Sequence, residues 1–320
     1  MGPSPTIAIK PKQNGGLIDP ASLMRIKSMQ LRAKVVVDGF FRGIHRSSRH
    51  GFSTEFTEYR QYVDGDDLRY LDWRVLARSD RHYIKKFEDE TSLRCHLLVD
   101  HSLSMGYGSL GYHKSDYAST LAATLGHFLF AQGDAVGLVT FDDKVDQVIQ
   151  ARNRHGHLRR ILHALEQPPT GTATDLAAPL QRIAEMQLRR GLLVLVSDLL
   201  APIDALAKRL AHLRASGHDL VIFQIFDPAE RDFTFESPAL FEDPESRQKI
   251  YLDPIAARED YCKRFREHTE AIRKIASELT VDFHPVPTDR PLSEALFEFM
   301  NDRQRRGRII QRRTAPGSVR

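Results

Sequence analysis

Apolar runs and amphipathic periods alternate along most of this chain, from Leu93 onward. Continuous apolar runs predict buried strands, and apolar residues recurring at helical spacing predict helices. The predicted strands are 93–99, 135–141, 145–150, 192–197, 220–226 and 281–286, and the predicted helices are 115–132, 157–165, 177–187, 204–215, 261–279 and 292–304. This alternation indicates an α/β fold: a doubly wound, mainly parallel sheet of about six strands, covered on both faces. The strands around Asp142-Asp143 are expected to supply one antiparallel edge.

The segments outside this pattern divide the rest of the chain. Residues 1–19 are rich in Pro, Gly and Lys, and we expect them to be disordered. Residues 20–92 are predicted to form an N-terminal helix, over about 20–42, followed by a charge-rich segment that contains β-structure. That segment interleaves aromatic residues with opposite charges, so we expect it to be ordered, with Trp73 buried. The α/β domain is assigned to 93–302 and a basic tail to 303–320.

Oxygen-bearing side chains lie where two predicted strands end. Asp100, Ser102 and Ser104 follow one apolar run, and Asp198 follows another. Thr172 lies in a turn before a predicted helix. Because a parallel sheet gathers such loops at the carboxyl ends of its strands, these residues should meet at one edge. Their oxygens suit Mg²⁺, Mn²⁺ or Ca²⁺. Helix capping is the alternative for the Asp and Ser residues, since both types cap helices often.

This set of residues resembles the metal-ion-dependent adhesion site of von Willebrand factor A domains. The resemblance implies a von Willebrand A-like fold and a divalent cation, Mg²⁺ first and Mn²⁺ or Ca²⁺ as alternatives. The implied ligands, with Asp198 acting through water, are Asp100, Ser102, Ser104, Thr172 and Asp198. Thr174 is a rival for the threonine position. The usual Asp-Gly pair after the second strand is Asp198-Leu199 here, which leaves the ligand in place but puts the following turn in question.

A second resemblance covers the charge-rich segment. The stretches Glu55–Tyr62, Gly65–Arg74 and Tyr83–Lys85 are similar to the signature of the bacterial DUF58 family, which precedes a von Willebrand A-type domain. Many members begin with two membrane helices, so this chain resembles the short soluble branch. The resemblance implies an adaptor or chaperone-linked role beside a MoxR-type AAA+ ATPase.

The composition limits which cellular compartment and which classes of binding partner are expected. The net charge of +4 is small for 320 residues and does not indicate nucleic-acid binding. Two distant cysteines without metal-ligand spacing fit a reducing cytoplasm. No apolar run reaches the ~20 residues that a membrane helix needs. The seven arginines of the tail are interpreted as a solvated end, with acidic lipid or nucleic acid as the alternative ligand.

Rival chemistries fit the sequence less well. Gly106–Gly111 matches G-x-G-x-x-G but lies too far beyond its strand for a dinucleotide site, and no P-loop motif occurs. Phosphotransferases with an aspartyl nucleophile usually carry a second Asp where Ser102 stands. His101 is expected to be a solvent-facing spacer.

The leading hypothesis is a metal-dependent protein-interaction module that binds an acidic side chain of a partner, a MoxR-type ATPase or its client. Because no general base is evident beside the site, we expect no enzymatic activity. The alternative is a metal-dependent hydrolase or phosphatase using the same ion.

Overall fold

The computed structural model of the chain describes residues 18–46, 59–61, 83–85, 93–168, 176–186, 188–242 and 248–314. Contacts divide the chain into two units, residues 1–43 with 93–320 and residues 44–92. The described part of the smaller unit is a two-stranded antiparallel sheet of β1 (Tyr59–Gln61) and β2 (Tyr83–Lys85). Apart from these two strands, the residues of the charge-rich signature, Trp73 included, lie outside the described residues. The predicted domain boundaries stay a prediction.

The larger unit is built on a six-stranded sheet, as the apolar runs predict. Its strands are β3 (Arg94–Asp100), β4 (Ala135–Phe141), β5 (Val145–Arg152), β6 (Leu192–Ser197), β7 (Asp219–Phe226) and β10 (Asp282–Pro287). Their order across the sheet is β10-β7-β6-β3-β4-β5. All neighbours pair in parallel except β4 and β5, which are antiparallel. The predicted α/β fold, a mainly parallel sheet of six strands with one antiparallel edge, is confirmed.

Helices cover both faces of this sheet. The helices before and within the sheet region are α1 (Pro20–Met24), α2 (Met29–Arg46), α3 (Lys114–Ala131), α4 (His157–Leu165), α5 (Ala177–Glu185), α6 (Ile203–Ala215), α7 (Pro228–Asp232), α8 (Pro254–Glu278) and α9 (Leu292–Thr314). Helices α5, α6 and α8 share one apolar core with side chains of β3, β4, β6 and β7. Helix α3 packs on the opposite face and is buried almost all round, which is the pattern of a helix enclosed by its neighbours.

The chain order creates a switch point beside β3. From β3 the chain builds outward through β4 and β5, then returns to the other side of β3 to form β6. The loops after β3 and β6 therefore leave neighbouring strands and turn in opposite directions. Ligands of open α/β sheets bind in the crevice that such a divergence opens. This crevice is where the candidate functional residues lie.

The N-terminal region forms two helices where the periodicity predicts one. Asp19 accepts a hydrogen bond from the Ser22 N–H, and Pro20 opens α1. Helix α2 starts after a break at residues 25–28. The Arg32 guanidinium bridges this break by donating to the carbonyl oxygens of Met24 and Ile26. Acceptors left without partners at the end of α1 are thereby satisfied.

Four further differences from the predicted elements occur after β7. Helix α7 was not predicted, nor was the hairpin of β8 (Ala239–Glu242) and β9 (Lys249–Leu252), and α8 begins at Pro254 instead of 261. Both α7 and α8 start with an Asp that caps the helix, Asp227 or Asp253, followed by Pro. That pair is a helix-start signal in the sequence. Helix α9 also continues past the predicted end at 304, through the arginine-rich stretch to Thr314.

No helix in the described ranges is both long enough and apolar enough to cross a lipid bilayer.

Helix α2 packs on α3 through aromatic side chains. The ring of Phe128, which is buried, lies 6.0 Å from the ring of Phe40 and 5.9 Å from that of Phe41, centre to centre. The Phe40 contact is edge-on and the Phe41 contact is stacked. Such pairs add to the stabilisation that burial of the rings supplies.

We expect Phe128→Ala to lower the free energy of unfolding by about 3–5 kcal/mol, because it empties a buried aromatic site. Phe297→Ala is the matched control, since Phe297 is 47% exposed on α9. Its cost should stay below about 1 kcal/mol. Urea unfolding followed by circular dichroism measures both. Equal losses for the two variants would show that the packing of α2 on α3 contributes no stability.

Candidate metal centre

Acidic residues stand at the ends of adjacent strands in the crevice beside β3. Asp100 is the last residue of β3, and Asp198 directly follows β6. The two strands pair in parallel up to Val99 and Val196, so the two carboxylates leave the same edge of the sheet side by side. Both are buried, at 1% and 2% exposure. The predicted meeting of these two strand ends is observed.

The two serines of the motif lie against Asp100. The Ser102 N–H donates to Asp100 Oδ1 at 2.9 Å, and the hydroxyls of Ser102 and Ser104 are 3.0 Å apart. Ser102 precedes a single 3₁₀ turn, Leu103–Gly106, but its hydroxyl makes no capping bond there. The capping alternative therefore does not account for this hydroxyl. The motif gathers one carboxylate and two hydroxyls in one place.

Ser197 is a residue of the candidate site that the sequence analysis did not identify. Its hydroxyl donates to Asp100 Oδ2 at 2.5 Å and accepts from the Leu199 N–H at 3.0 Å. It thus joins the end of β6 to the end of β3. Burial first, and then the nearby charge of Asp198, raise the pKa of the Asp100 carboxyl to about 7, against the opposing hydrogen bonds from Ser197 and Ser102.

Leu199 takes the conformation that a glycine would adopt. Its φ is 58°, in the left-handed region, and its side chain is fully buried in the core shared with α6 and α8. Its carbonyl oxygen lies 2.9 Å from His268 Nε2 of α8. The turn after Asp198 is therefore kept without the usual glycine. A left-handed leucine costs roughly 1–2 kcal/mol in backbone strain, which burial of the side chain offsets.

Lys114 is the second residue that the sequence left unidentified. It is the first residue of α3, and its side chain is fully buried. Its ammonium Nζ lies 2.9 Å from Asp198 Oδ2 and 2.7 Å from Glu230 Oε1. These carboxylates raise its pKa to about 12 even though burial acts to lower it. A signal existed, because a lysine at a helix N-terminus opposes the helix dipole and needs an acidic partner from elsewhere.

Glu230 links this ion pair to the end of β7. Its second carboxylate oxygen accepts from the Asp227 N–H at 2.9 Å. Asp227 in turn accepts from the backbone N–H of Ser109 at 2.8 Å and from its hydroxyl at 2.5 Å. The loop between β3 and α3 is thereby fastened to the end of β7, across the intervening β6. The segments that follow β3, β6 and β7 are thus linked by one chain of hydrogen bonds.

The prediction for His101 was wrong. Its side chain is only 6% exposed, so it is not a solvent-facing spacer. The backbone N–H of His101 donates to the Phe141 carbonyl oxygen at 2.7 Å and extends the pairing of β3 with β4 by one hydrogen bond. Burial lowers the pKa of its imidazole. The alternation that places Asp100 inward does not place His101 in solvent, because the chain is covered on both sides at this point.

The described donor set fits a hard divalent cation. Asp100, Ser102, Ser104 and Asp198 offer carboxylate and hydroxyl oxygens, and two buried neighbouring carboxylates favour a positive charge beside them. No cluster of three or more His, Cys, Asp or Glu suited to a metal occurs in the part of the chain that the structure describes. An ion here would therefore depend on hydroxyls as well as carboxylates. Thr172, and its rival Thr174, lie outside the described residues, so their part in the site stays a prediction.

Sequence comparison assigns the chain to a family. The family model described as "Protein of unknown function DUF58" matches residues 58–271. The match spans well over half of the chain, which therefore belongs to this family. The uncharacterized protein Rv1480 of Mycobacterium tuberculosis is 26% identical over 296 residues, covering 91% of this chain and 92% of that protein. The uncharacterized protein MAV169 of Mycobacterium avium is 23% identical over 150 residues, covering 46% of this chain and 87% of that protein.

Solved structures show similarity at low sequence identity. BatB from Bacteroides thetaiotaomicron, described as a conserved hypothetical protein, has a TM-score of 0.45 and 13% identity, covering 66% of this chain and 98% of its own. The SpRpn10 VWA domain has a TM-score of 0.38 and 14% identity, covering 64% of this chain and 94% of its own. The order and directions of the six strands carry the fold assignment.

Because Leu199 has a positive φ, we expect glycine to be tolerated better than alanine at this position, the reverse of the order in a helix. Leu199→Ala and Leu199→Gly should both lower the free energy of unfolding, by about 2–5 kcal/mol, because a buried leucine is lost. The alanine variant should be less stable than the glycine variant by about 1 kcal/mol, since alanine keeps a Cβ at a positive φ. Urea unfolding measures the difference.

Leu210 supplies the matched comparison. It is fully buried in the interior of α6, where glycine should be worse than alanine by about 1 kcal/mol. The same order at both positions would contradict the idea that strain at Leu199 shapes the turn after Asp198.

Proposed function

We propose that this member of the DUF58 family is a metal-dependent protein-interaction module. In this proposal a divalent cation, Mg²⁺ first and Mn²⁺ or Ca²⁺ as alternatives, binds at the ends of β3 and β6. The observation that carries the proposal is the convergence of Asp100, Ser102 and Ser104 with Asp198 at that edge. Thr172 would complete the set as the resemblance implies.

The chemistry of the donors favours an ion that takes one more ligand. Hydroxyls contribute no negative charge, so a cation held by Ser102, Ser104 and one carboxylate keeps much of its positive charge. An Asp or Glu of a partner protein is the hard ligand that such an ion attracts. Ser102 is buried, whereas Ser104 is partly exposed, so the outer side of the site lies on the Ser104 side.

Exposed apolar side chains near the same edge support a protein ligand. Leu110, in the loop after β3, is 37% exposed, and Leu200, two residues after Asp198, is 48% exposed. Leu200 also lines a cavity of about 120 Å³ between α5 and α6. Its lining residues are Leu176, Ala177, Leu180, Leu200, Ala201, Pro202, Ala205 and Leu206. Apolar contacts around a charged anchor are typical of protein interfaces.

The identity of the partner rests on the family resemblance. DUF58 proteins are linked by resemblance to MoxR-type AAA+ ATPases, so we propose such an ATPase, or its client, as the partner. The binding role is favoured over hydrolysis by the bonding around the ion site. Lys114, the basic group that is hydrogen-bonded to Asp198, is fully buried and engaged with two carboxylates, so it is not free to act as a general base.

Metal binding is tested on the isolated chain. Mg²⁺ or Mn²⁺ at 100 times its Kd should stabilise the fold by about 2.7 kcal/mol, through mass action on the native state. For a domain of this size the melting temperature should rise by roughly 5–10 °C. Asp100→Asn keeps the shape of the side chain but removes its charge, so it should abolish that rise.

The control for this experiment is Asp204→Asn, at an exposed carboxylate on α6. It should leave the metal response unchanged. Its own cost in stability, from the loss of a favourable charge in the first turn of α6, should stay below about 1 kcal/mol. Calorimetry that finds no divalent binding to the wild-type chain would remove the metal from the proposal.

Partner binding is tested by affinity capture from native cell extract. With Mg²⁺ present, the immobilised chain should retain an AAA+ ATPase, identified by mass spectrometry. Retention should fall at least tenfold with EDTA or with Asp100→Asn, because the ion bridges the two proteins. Asp198→Ala should weaken retention less, since its contact with the ion runs through water. Asp204→Asn is again the control.

Enzymatic turnover by the isolated chain would contradict the binding role. Metal-dependent hydrolysis of a phosphoester or peptide by the purified chain, lost in Asp100→Asn and without any metal-dependent partner, would replace the binding role with the hydrolase alternative.

A further inference from the structure

We propose that Lys114 is a built-in cation that shares Asp198 with the divalent ion and thereby keeps the affinity for that ion low. The inference rests on the proposed function, because it concerns the same ion. It assigns Lys114 a positioning role, acting on the ion through Asp198.

The first argument is geometric. Both oxygens of Asp198 already accept hydrogen bonds: Oδ2 from the Lys114 ammonium at 2.9 Å, and Oδ1 from the Leu200 N–H at 3.3 Å. Each oxygen keeps one further lone pair, but a metal bound directly to the carboxylate would lie close to the Lys114 ammonium and be repelled by it. A water molecule between the carboxylate and the ion increases that separation and weakens the repulsion. The contacts therefore favour the outer position that the resemblance assigns to Asp198.

The second argument is the balance of buried charge. Lys114 is the one lysine among the fully buried large side chains of the described residues, and it faces Asp198 and Glu230. With Asp100, these groups carry three carboxylates and one ammonium. Without Lys114, the ion would face the full charge of Asp198. With Lys114 in place, part of that charge is neutralised, and the ammonium repels a second cation.

The third argument is that Lys114 cannot move away from the site by itself. Its backbone N–H donates to the Tyr107 carbonyl oxygen at 2.8 Å, and its ammonium donates a second hydrogen bond, to Glu230, at 2.7 Å. A lysine at the start of a helix opposes the helix dipole, so its placement carries a cost. That cost is offset only in this ion pair. The charge is thus fixed in position relative to the candidate ion.

The functional consequence is coupling between ion and partner. If Lys114 keeps the ion weakly bound, the partner's carboxylate supplies the missing negative charge and raises the affinity of the site for the ion. By thermodynamic linkage, the bound ion raises the affinity for the partner by the same factor. Lys114 would then make the ion a component that binds together with the partner, instead of a permanent part of the fold.

The test is calorimetric titration of the full chain with Mn²⁺. Lys114→Met keeps the length of the side chain and removes its charge, so the Kd for Mn²⁺ should fall at least tenfold. Its melting temperature without metal should drop, because the two buried carboxylates lose their counter-ion, and the rise on adding Mn²⁺ should be larger than in the wild type. Lys208→Met, at an exposed position on α6, should change none of these values.

A second variant covers the case in which Lys114→Met does not fold. The double change Lys114→Met with Glu230→Gln removes one charge of each sign and keeps the net charge of the group. It should also bind Mn²⁺ more tightly than the wild type, since Asp198 is released. A purely structural role for Lys114 predicts lower stability with unchanged or weaker Mn²⁺ binding in both variants, and that result would overturn the inference.

The outcomes separate this inference from the proposed function. Tight Mn²⁺ binding by the variants and none by the wild type would uphold the role of Lys114 but remove metal dependence from the native protein. Equal binding by wild type and variants would leave the proposed function intact and reject the role of Lys114. No Mn²⁺ binding by any of them would reject both.

Discussion

The architecture around the site depends on one electrostatic constraint: two carboxylates, Asp100 and Asp198, are buried side by side at neighbouring strand ends. A buried carboxylate loses its hydration and a second one repels it, which is why the pKa of Asp100 is raised. Ser197 and the Ser102 N–H compensate one carboxylate with hydrogen bonds, and Lys114 compensates the other with a charge. A divalent cation would be the remaining compensation. The hydrogen bonds, the buried lysine and the proposed cation would therefore all compensate the same pair of buried negative charges.

Much of this arrangement could be predicted because it follows from local periodicity and topology. Buried strands are visible in the sequence as apolar runs; β3 ends on an acidic residue, and β6 is directly followed by one. Parallel strands place those acids at the same edge whatever the details of packing. Leu192–Ser197 and His157–Leu165 even begin and end where the pattern predicts. The convergence of Asp100 and Asp198 is thus a consequence of topology.

The rest depends on contacts between residues distant in the chain. Lys114 and Glu230 are separated by more than a hundred positions, and nothing local shows that they meet. Leu199 is read from sequence as a departure from an Asp-Gly turn, whereas the structure keeps the turn and uses the side chain as core. The break between α1 and α2 depends on Arg32 reaching back to carbonyl oxygens. Periodicity predicts elements, but it does not predict which polar side chain closes a gap between them.

Helix α3 has a mechanical consequence. Its 18 residues form a rod of roughly 27 Å, enclosed on nearly every side, with Lys114 as its first residue and Phe128 near its other end. A close-packed rod of this kind moves as a whole or not at all. Because α2 rests on Phe128, pulling on α2 loads the same rigid body that carries the ammonium next to Asp198. A force on α2 would therefore reach the Lys114–Asp198 ion pair through α3, at the opposite end of the helix from Phe128.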